Sequence, residues 1–150
     1  MIIDTSALVA ILDQEPEAKR IARALASTSE RMLSAANLVE VGIVMQARRG
    51  DDGARAVDLL LGKLKVEIVP FTARQAEIAR KAFRRYGRGQ HDAKLNFGDC
   101  FAHALARDAS AAAFPVGRRF LELPLTAAPA LFDAWSNRSA DSTGSDIVRP

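Results

Sequence analysis

Three carboxylates in this 150-residue chain stand where a carboxylate is costly. Asp4 directly follows the apolar run Met1-Ile2-Ile3, Glu40 lies inside Leu38-Val39-Glu40-Val41-Gly42-Ile43-Val44, and Asp99 opens a segment carrying Phe101, Ala104 and Leu105. At helical spacing the neighbours of Glu40 are Ala36, Asn37, Ile43 and Val44, so no lysine or arginine neutralises it locally. A carboxylate in such surroundings must be paired, protonated or bound to a cation. Each acid also admits a plainer reading: a tertiary ion pair or an exposed helix face for Glu40, and helix capping for Asp4 and Asp99. Taken together they favour chemistry. Three acids brought to one place repel one another, and a hard divalent cation such as Mg²⁺ or Mn²⁺ resolves that repulsion.

Other chemistries are poorly supplied. One cysteine and two histidines cannot build a usual structural zinc site, and no motif ties Cys100 to His91 or His103 as an activated nucleophile. Cys100 therefore reads as a small core residue. The segment 74–94 carries Arg74, Arg80, Lys81, Arg84, Arg85, Arg88 and Lys94 against Glu77 and Asp92. It is either a phosphate-contacting surface or an ordinary solvated helix face. The formal net charge of +3 permits a nucleic-acid partner without requiring one.

The elements that must carry the acids alternate. A buried strand at Met1–Ile3 turns through Asp4-Thr5-Ser6 into a helix over Ala7–Leu12, and Glu17–Ala26 forms a second helix. Ser34 caps a longer helix ending at Arg49, with Gly50 placed for a left-handed stop, and a short helix covers Asp52–Lys63. A strand at Val66–Pro70, a Thr72-capped helix through Tyr86, a helix over Asp99–Arg107 and a strand within Ala111–Val116 complete the pattern. Such alternation predicts an α/β fold with a parallel sheet covered on both faces. Asp4 then leaves the carboxyl end of a strand, the edge at which ligands bind in open α/β sheets.

A hydrophobic content of 49% with 26% charged residues suffices for one sizeable core, excluding global disorder. The start MIIDTSALVAIL lacks the features of a secretory signal, and no apolar run approaches the roughly 20 residues of a membrane span. A cytoplasmic location is expected. One domain is predicted over residues 1–135, followed by a disordered tail over 136–150, SNRSADSTGSDIVRP.

MIIDTSALVAIL with its EPE segment, SAANLVEVGIVMQARRG and YGRGQHDAKLNFGDCFAHALA, in that order, resemble the PIN-domain ribonuclease toxins of the VapC type, from VapBC toxin–antitoxin systems. The likeness is clear over roughly residues 1–107. It implies a three-layer α/β/α PIN-like fold, Mg²⁺-dependent RNA cleavage (Mn²⁺ as an alternative ion), homodimerisation and inhibition by a VapB-type antitoxin. It also implies that Asp4, Glu40 and Asp99 are the catalytic and metal-site carboxylates.

Beyond Arg107 the pattern breaks. Family members carry a fourth acid after the last strand, whereas this chain reads Phe114-Pro115-Val116-Gly117-Arg118-Arg119-Phe120, and Asp108 and Glu122 are poorly placed substitutes. Arginines there repel a cation. A one-base frame shift through two CGA codons would restore Asp-Asp, and a genuinely diverged terminus is the alternative. The competing functions are a catalytically impaired PIN-fold module that binds RNA or antitoxin, and a hydrolase of small phosphorylated substrates, against which Ser6 counts because it stands where a second aspartate is needed. Arg118→Gly with Arg119→Asp is expected to tighten Mn²⁺ binding in calorimetry; identical affinities would show that this segment does not reach the acids.

Overall fold

The structure is a computed structural model that describes residues 1–91, 93–109 and 115–116. Its nine elements are β1 (Ile2–Ile3), α1 (Thr5–Leu12), α2 (Ala18–Ala26), β2 (Met32–Ser34), α3 (Ala35–Leu64), β3 (Glu67–Val69), α4 (Ala73–Tyr86), α5 (Phe97–Asp108) and β4 (Pro115–Val116). The strands form one parallel sheet in the order β3-β2-β1-β4.

Central β1 explains the layering. Both of its residues are fully buried, because parallel strands are covered on both faces. Successive side chains on a strand point to opposite faces. Ile3 joins Leu8, Ile21, Leu25, Val41 and Met45 from α1, α2 and α3, while Ile2 packs with Ala102, Leu105 and Ala106 of α5. Helices thus cover the sheet on both sides, which is the α/β/α arrangement expected. Burying each isoleucine contributes about 2 kcal/mol. On the outer side of α5, Ala79, Ala82 and Tyr86 of α4 meet Cys100 and Ala104.

Several elements differ from the sequence reading, among them α1, which begins at Thr5 and not Ala7. Strand β2 went unforeseen, because Met32-Leu33-Ser34 is too short to show a period of two and Ser34 immediately caps a helix, its hydroxyl accepting from the Ala36 N–H at 3.3 Å. The helices foreseen on either side of Gly50 run as one element, yet Gly50 breaks it with φ 57° and ψ −146°, a conformation open to glycine. Helix α5 begins at Phe97, two residues before Asp99, because Asn96 is its cap. Of the strand foreseen at Ala111–Val116, β4 covers Pro115–Val116. Asp92, Arg118, Arg119, Glu122, the domain limit at 135 and the tail over 136–150 lie outside the described residues. Among the described residues no helix is long and apolar enough to cross a membrane.

Candidate functional site

The carboxyl end of β1 delivers Asp4 into the interior. Its backbone is extended (φ −90°, ψ 154°) and it is the N-cap of α1. One carboxylate oxygen, Oδ2, accepts from the Ser6 N–H at 3.0 Å and the Ser6 hydroxyl at 2.5 Å. The other, Oδ1, is buried and has no hydrogen-bond partner among the described residues. Burial pushes the acid up to about 6; the Ser6 hydroxyl bond and then the Ser6 amide oppose the rise, while the charges of Asp99 and Glu40 add to it. The capping explanation for Asp4 is therefore true of half of its carboxylate and leaves the other half unexplained.

Glu40 reaches the same place from α3. Its Oε2 accepts from the Thr5 hydroxyl at 2.6 Å. Thr5 in turn accepts from Nδ2 of Asn37, 3.0 Å away, and the same Nδ2 donates to the Gly98 carbonyl at 3.1 Å. The Glu40 carboxylate lies so close to Gly98 that a Cβ there would collide with it. No cation pairs with Glu40 among the described residues. Asp99, 2% exposed, closes a capping box: its Oδ2 accepts from the Asn96 N–H at 2.7 Å, and its own N–H donates to Asn96 Oδ1 at 2.8 Å.

A cavity of about 160 Å³ opens between these residues, lined by Asp4, Thr5, Ser6, Glu40, Arg48, Asn96 and Gly98 among others. Asp99 sits behind the lining, although its charge reaches Asp4. Among the described residues, no three His, Cys, Asp or Glu side chains are gathered closely enough to cage a metal ion. Mg²⁺ asks for less, since it keeps several waters and commonly takes one or two carboxylates. A buried carboxylate oxygen without a partner, repelled by two further acids and surrounded by oxygen donors, fits a hard divalent cation. Arg48 at the cavity margin is committed elsewhere: it pairs with Asp13, which Arg49 also holds at 2.7 Å.

The remaining candidates separate clearly. Arg74, Arg80, Lys81, Arg84, Arg85, Arg88 and Lys94 are all exposed, with Arg74 paired to Asp108 at 2.9 Å and Arg85 stacked on Tyr86. Asp108 also accepts from Gln75 Nε2 at 3.0 Å, so α4 holds it and it does not replace a fourth acid at the cavity. Cys100 is buried, and burial pushes its thiol up to about 11, an unreactive state. His91 Nδ1 accepts from the Ala93 N–H at 3.0 Å on the surface.

Burial, with help from the charge of Arg107, lowers the imidazole of His103 to about 3. Its unfolded value is ~6.5, so the unfolded chain binds the extra proton first and stability is lost as pH falls from 6.5 towards 3. Denaturant midpoints at pH 7 and pH 5 in an Asp4→Asn background, where the opposing aspartate contribution is gone, are expected to fall with pH. A flat profile would place His103 in contact with water.

Sequence reasoning missed Asn37 and the roles of Thr5 and Gly98. The sequence reading places Thr5 in a turn, whereas it is the first residue of α1. Asn37 carried a readable signal: a polar side chain three residues before Glu40, hence on the same helical face, within an otherwise apolar stretch.

A family model described as PIN domain matches residues 1–125. The match runs past the point near residue 107 where the likeness was expected to fade. A Ribonuclease VapC of Mycolicibacterium smegmatis is 50% identical over 107 residues, 71% of this chain and 83% of the relative. Ribonuclease VapC30 of Mycobacterium tuberculosis is 47% identical over 107 residues, 71% and 82% of the two chains. Among solved structures, Mycobacterium tuberculosis VapC20, described as a Sarcin-Ricin loop cleaving toxin, superposes with a TM-score of 0.59 at 22% identity, over 72% of this chain and 82% of the other. That last likeness is one of fold.

Proposed function

The chain belongs to the PIN-domain family, among the VapC ribonucleases, and from that premise we propose that it is a Mg²⁺-dependent endoribonuclease, the toxin of a type II toxin–antitoxin pair. The observation that carries the metal-dependent reading is the buried Oδ1 of Asp4, without a partner among the described residues, on a cavity shared with Glu40. Asp4 would hold the ion through the oxygen that capping leaves unused, and Glu40 and Asp99 would contribute ligands or negative field. When bound, a divalent cation acts as a Lewis acid on the phosphodiester and lowers the pKa of its water. The chain's own part is to fix Glu40 through the Thr5 hydroxyl and to orient Asp4 through Ser6; among the described residues neither acid is paired with a cation that would compete with the ion. The exposed arginines and lysines of α4 and the following loop offer phosphate contacts to an RNA strand.

Cleavage of a single-stranded RNA with added Mg²⁺, abolished by chelation, is the test. Glu40→Gln and Asp99→Asn are each expected to lower the rate by about 10²-fold or more, since removing a ligand weakens and misaligns the ion. Mg²⁺-independent cleavage, or unchanged rates in both variants, would overturn the assignment. A VapB-type antitoxin should relieve growth arrest when co-expressed in the cytoplasm. Phe83 and Phe97, 47% and 72% exposed beside the α4/α5 groove, support a homodimer, checked by light scattering.

A further inference from the structure

Asn37 is fully buried, and its position ties it to all three acids at once. One Nδ2 hydrogen goes to Thr5, the residue after Asp4; the other goes to the Gly98 carbonyl, the residue before Asp99. Glu40 is three residues further along its own helix. Thus α3 is joined through one amide to the start of α1 and to the first turn of α5, the two places where the other carboxylates enter.

The chemistry of the donors sets a direction. An amide nitrogen only donates, so Thr5 Oγ1 must accept from it and direct its single hydrogen at Glu40, where the 2.6 Å separation is that of a hydroxyl on a carboxylate. A flipped amide would set Oδ1 against the Gly98 carbonyl, two acceptors facing each other, so the carbonyl fixes which way the amide lies. In the low-dielectric interior such a chain polarises along its length. The arrangement is not one that stability alone selects. Asn37 Oδ1 is buried without a partner among the described residues, a cost that an apolar side chain of similar volume would avoid.

We propose that Asn37 is a positioning residue for the metal-site carboxylates: through the Thr5 hydroxyl it holds Glu40 Oε2 in place, and through the Gly98 carbonyl it holds the Asp99-bearing turn against the same cavity. The role rests on the ribonuclease reading above. It predicts that losing the amide disturbs the ion and the rate while leaving RNA affinity unchanged.

The test compares Asn37→Leu, Thr5→Val, their double variant and Thr5→Ser by Mn²⁺ calorimetry, by kcat and KM for RNA cleavage, and by thermal unfolding. Replacing a group that orients metal ligands typically costs about 10- to 100-fold in metal affinity or activity. Asn37→Leu and Thr5→Val should each weaken Mn²⁺ binding about tenfold and lower kcat by about 10²-fold, with KM changed less than about threefold. Because both act through one chain of hydrogen bonds, the double variant should be no worse than the poorer single one. Thr5→Ser, which keeps the hydroxyl, should recover most of the loss. Should Asn37→Leu fail to fold, the contrast between Thr5→Val and Thr5→Ser carries the same decision. Parent-like Mn²⁺ affinity and kcat in Thr5→Val, or full additivity in the double variant, would overturn the positioning role alone. A parent protein that neither binds Mn²⁺ nor cleaves RNA would overturn the ribonuclease reading as well.

Discussion

Gly98→Ala should keep the fold and lose the reaction. Alanine favours a helix over glycine by about 1 kcal/mol, and Gly98 lies inside α5 without a positive φ, so helix propensity alone predicts a more stable protein. The added methyl, however, occupies the space of the Glu40 carboxylate. That carboxylate is the far end of a flexible side chain and can swing aside at little cost to the fold, but only by leaving the Thr5 hydroxyl. Metal-dependent cleavage is expected to fall by about 10²-fold or more, with the melting temperature unchanged or higher. Gly53→Ala is the opposite case: its methyl meets the backbone carbonyl of Met45, which cannot rotate away, so about 1–3 kcal/mol of stability is lost while the site is untouched. Melting curves and rates for the two variants should therefore trade places; a Gly98→Ala protein with parental activity would mean that Glu40 tolerates another position.

Asp4→Asn should give an inactive protein that is more stable than its parent in metal-free buffer. The folded state holds the Asp4 proton up to about pH 6, whereas the unfolded chain releases it at the ordinary aspartate value of 3.8. Between those values the folded state binds more protons, so stability falls as pH rises through that window, and at pH 7 the ionised group costs about 3 kcal/mol. Asparagine removes the charge and remains a good N-cap for α1. The expected outcome at pH 7 is a higher denaturant midpoint without metal, no added stability from Mn²⁺, and no cleavage. At pH 4, where Asp4 is protonated in the folded protein, the gain should vanish. A variant that melts below its parent at pH 7 would show that capping by a charged group outweighs the burial of that charge.

The site was legible to the extent that charge stood against its surroundings. Asp4, Glu40 and Asp99 declared themselves as acids in apolar company, and the structure brings Asp4 and Glu40 to one cavity with Asp99 behind it. Asn37 was overlooked because an uncharged polar residue breaks a hydrophobic stripe less visibly, although it is more deeply buried than Glu40. The helices were legible because their ends carry caps: Asp4, Ser34 and Thr72 all accept the bonds their positions imply. Asn96 was passed over in favour of Asp99, and both belong to one capping box. Strand β2 was not legible, since three residues bordered by a cap carry too little pattern, and its pairing with β1 and β3 is decided by segments distant along the chain.

That distance has a kinetic side. The hydrogen bonds that assemble the cavity join residues 35 and 61 positions apart, Thr5 to Glu40 and Asn37 to Gly98. Neither loop can close favourably until the intervening helices have formed and packed, because the entropy of closing a long loop is lost before the contact returns anything. All three carboxylates are consequently together only once α5 is docked against α3. A chain with α1 to α3 in place but α5 undocked has two of its acids but no Gly98 carbonyl to hold Asn37, so its site is incomplete.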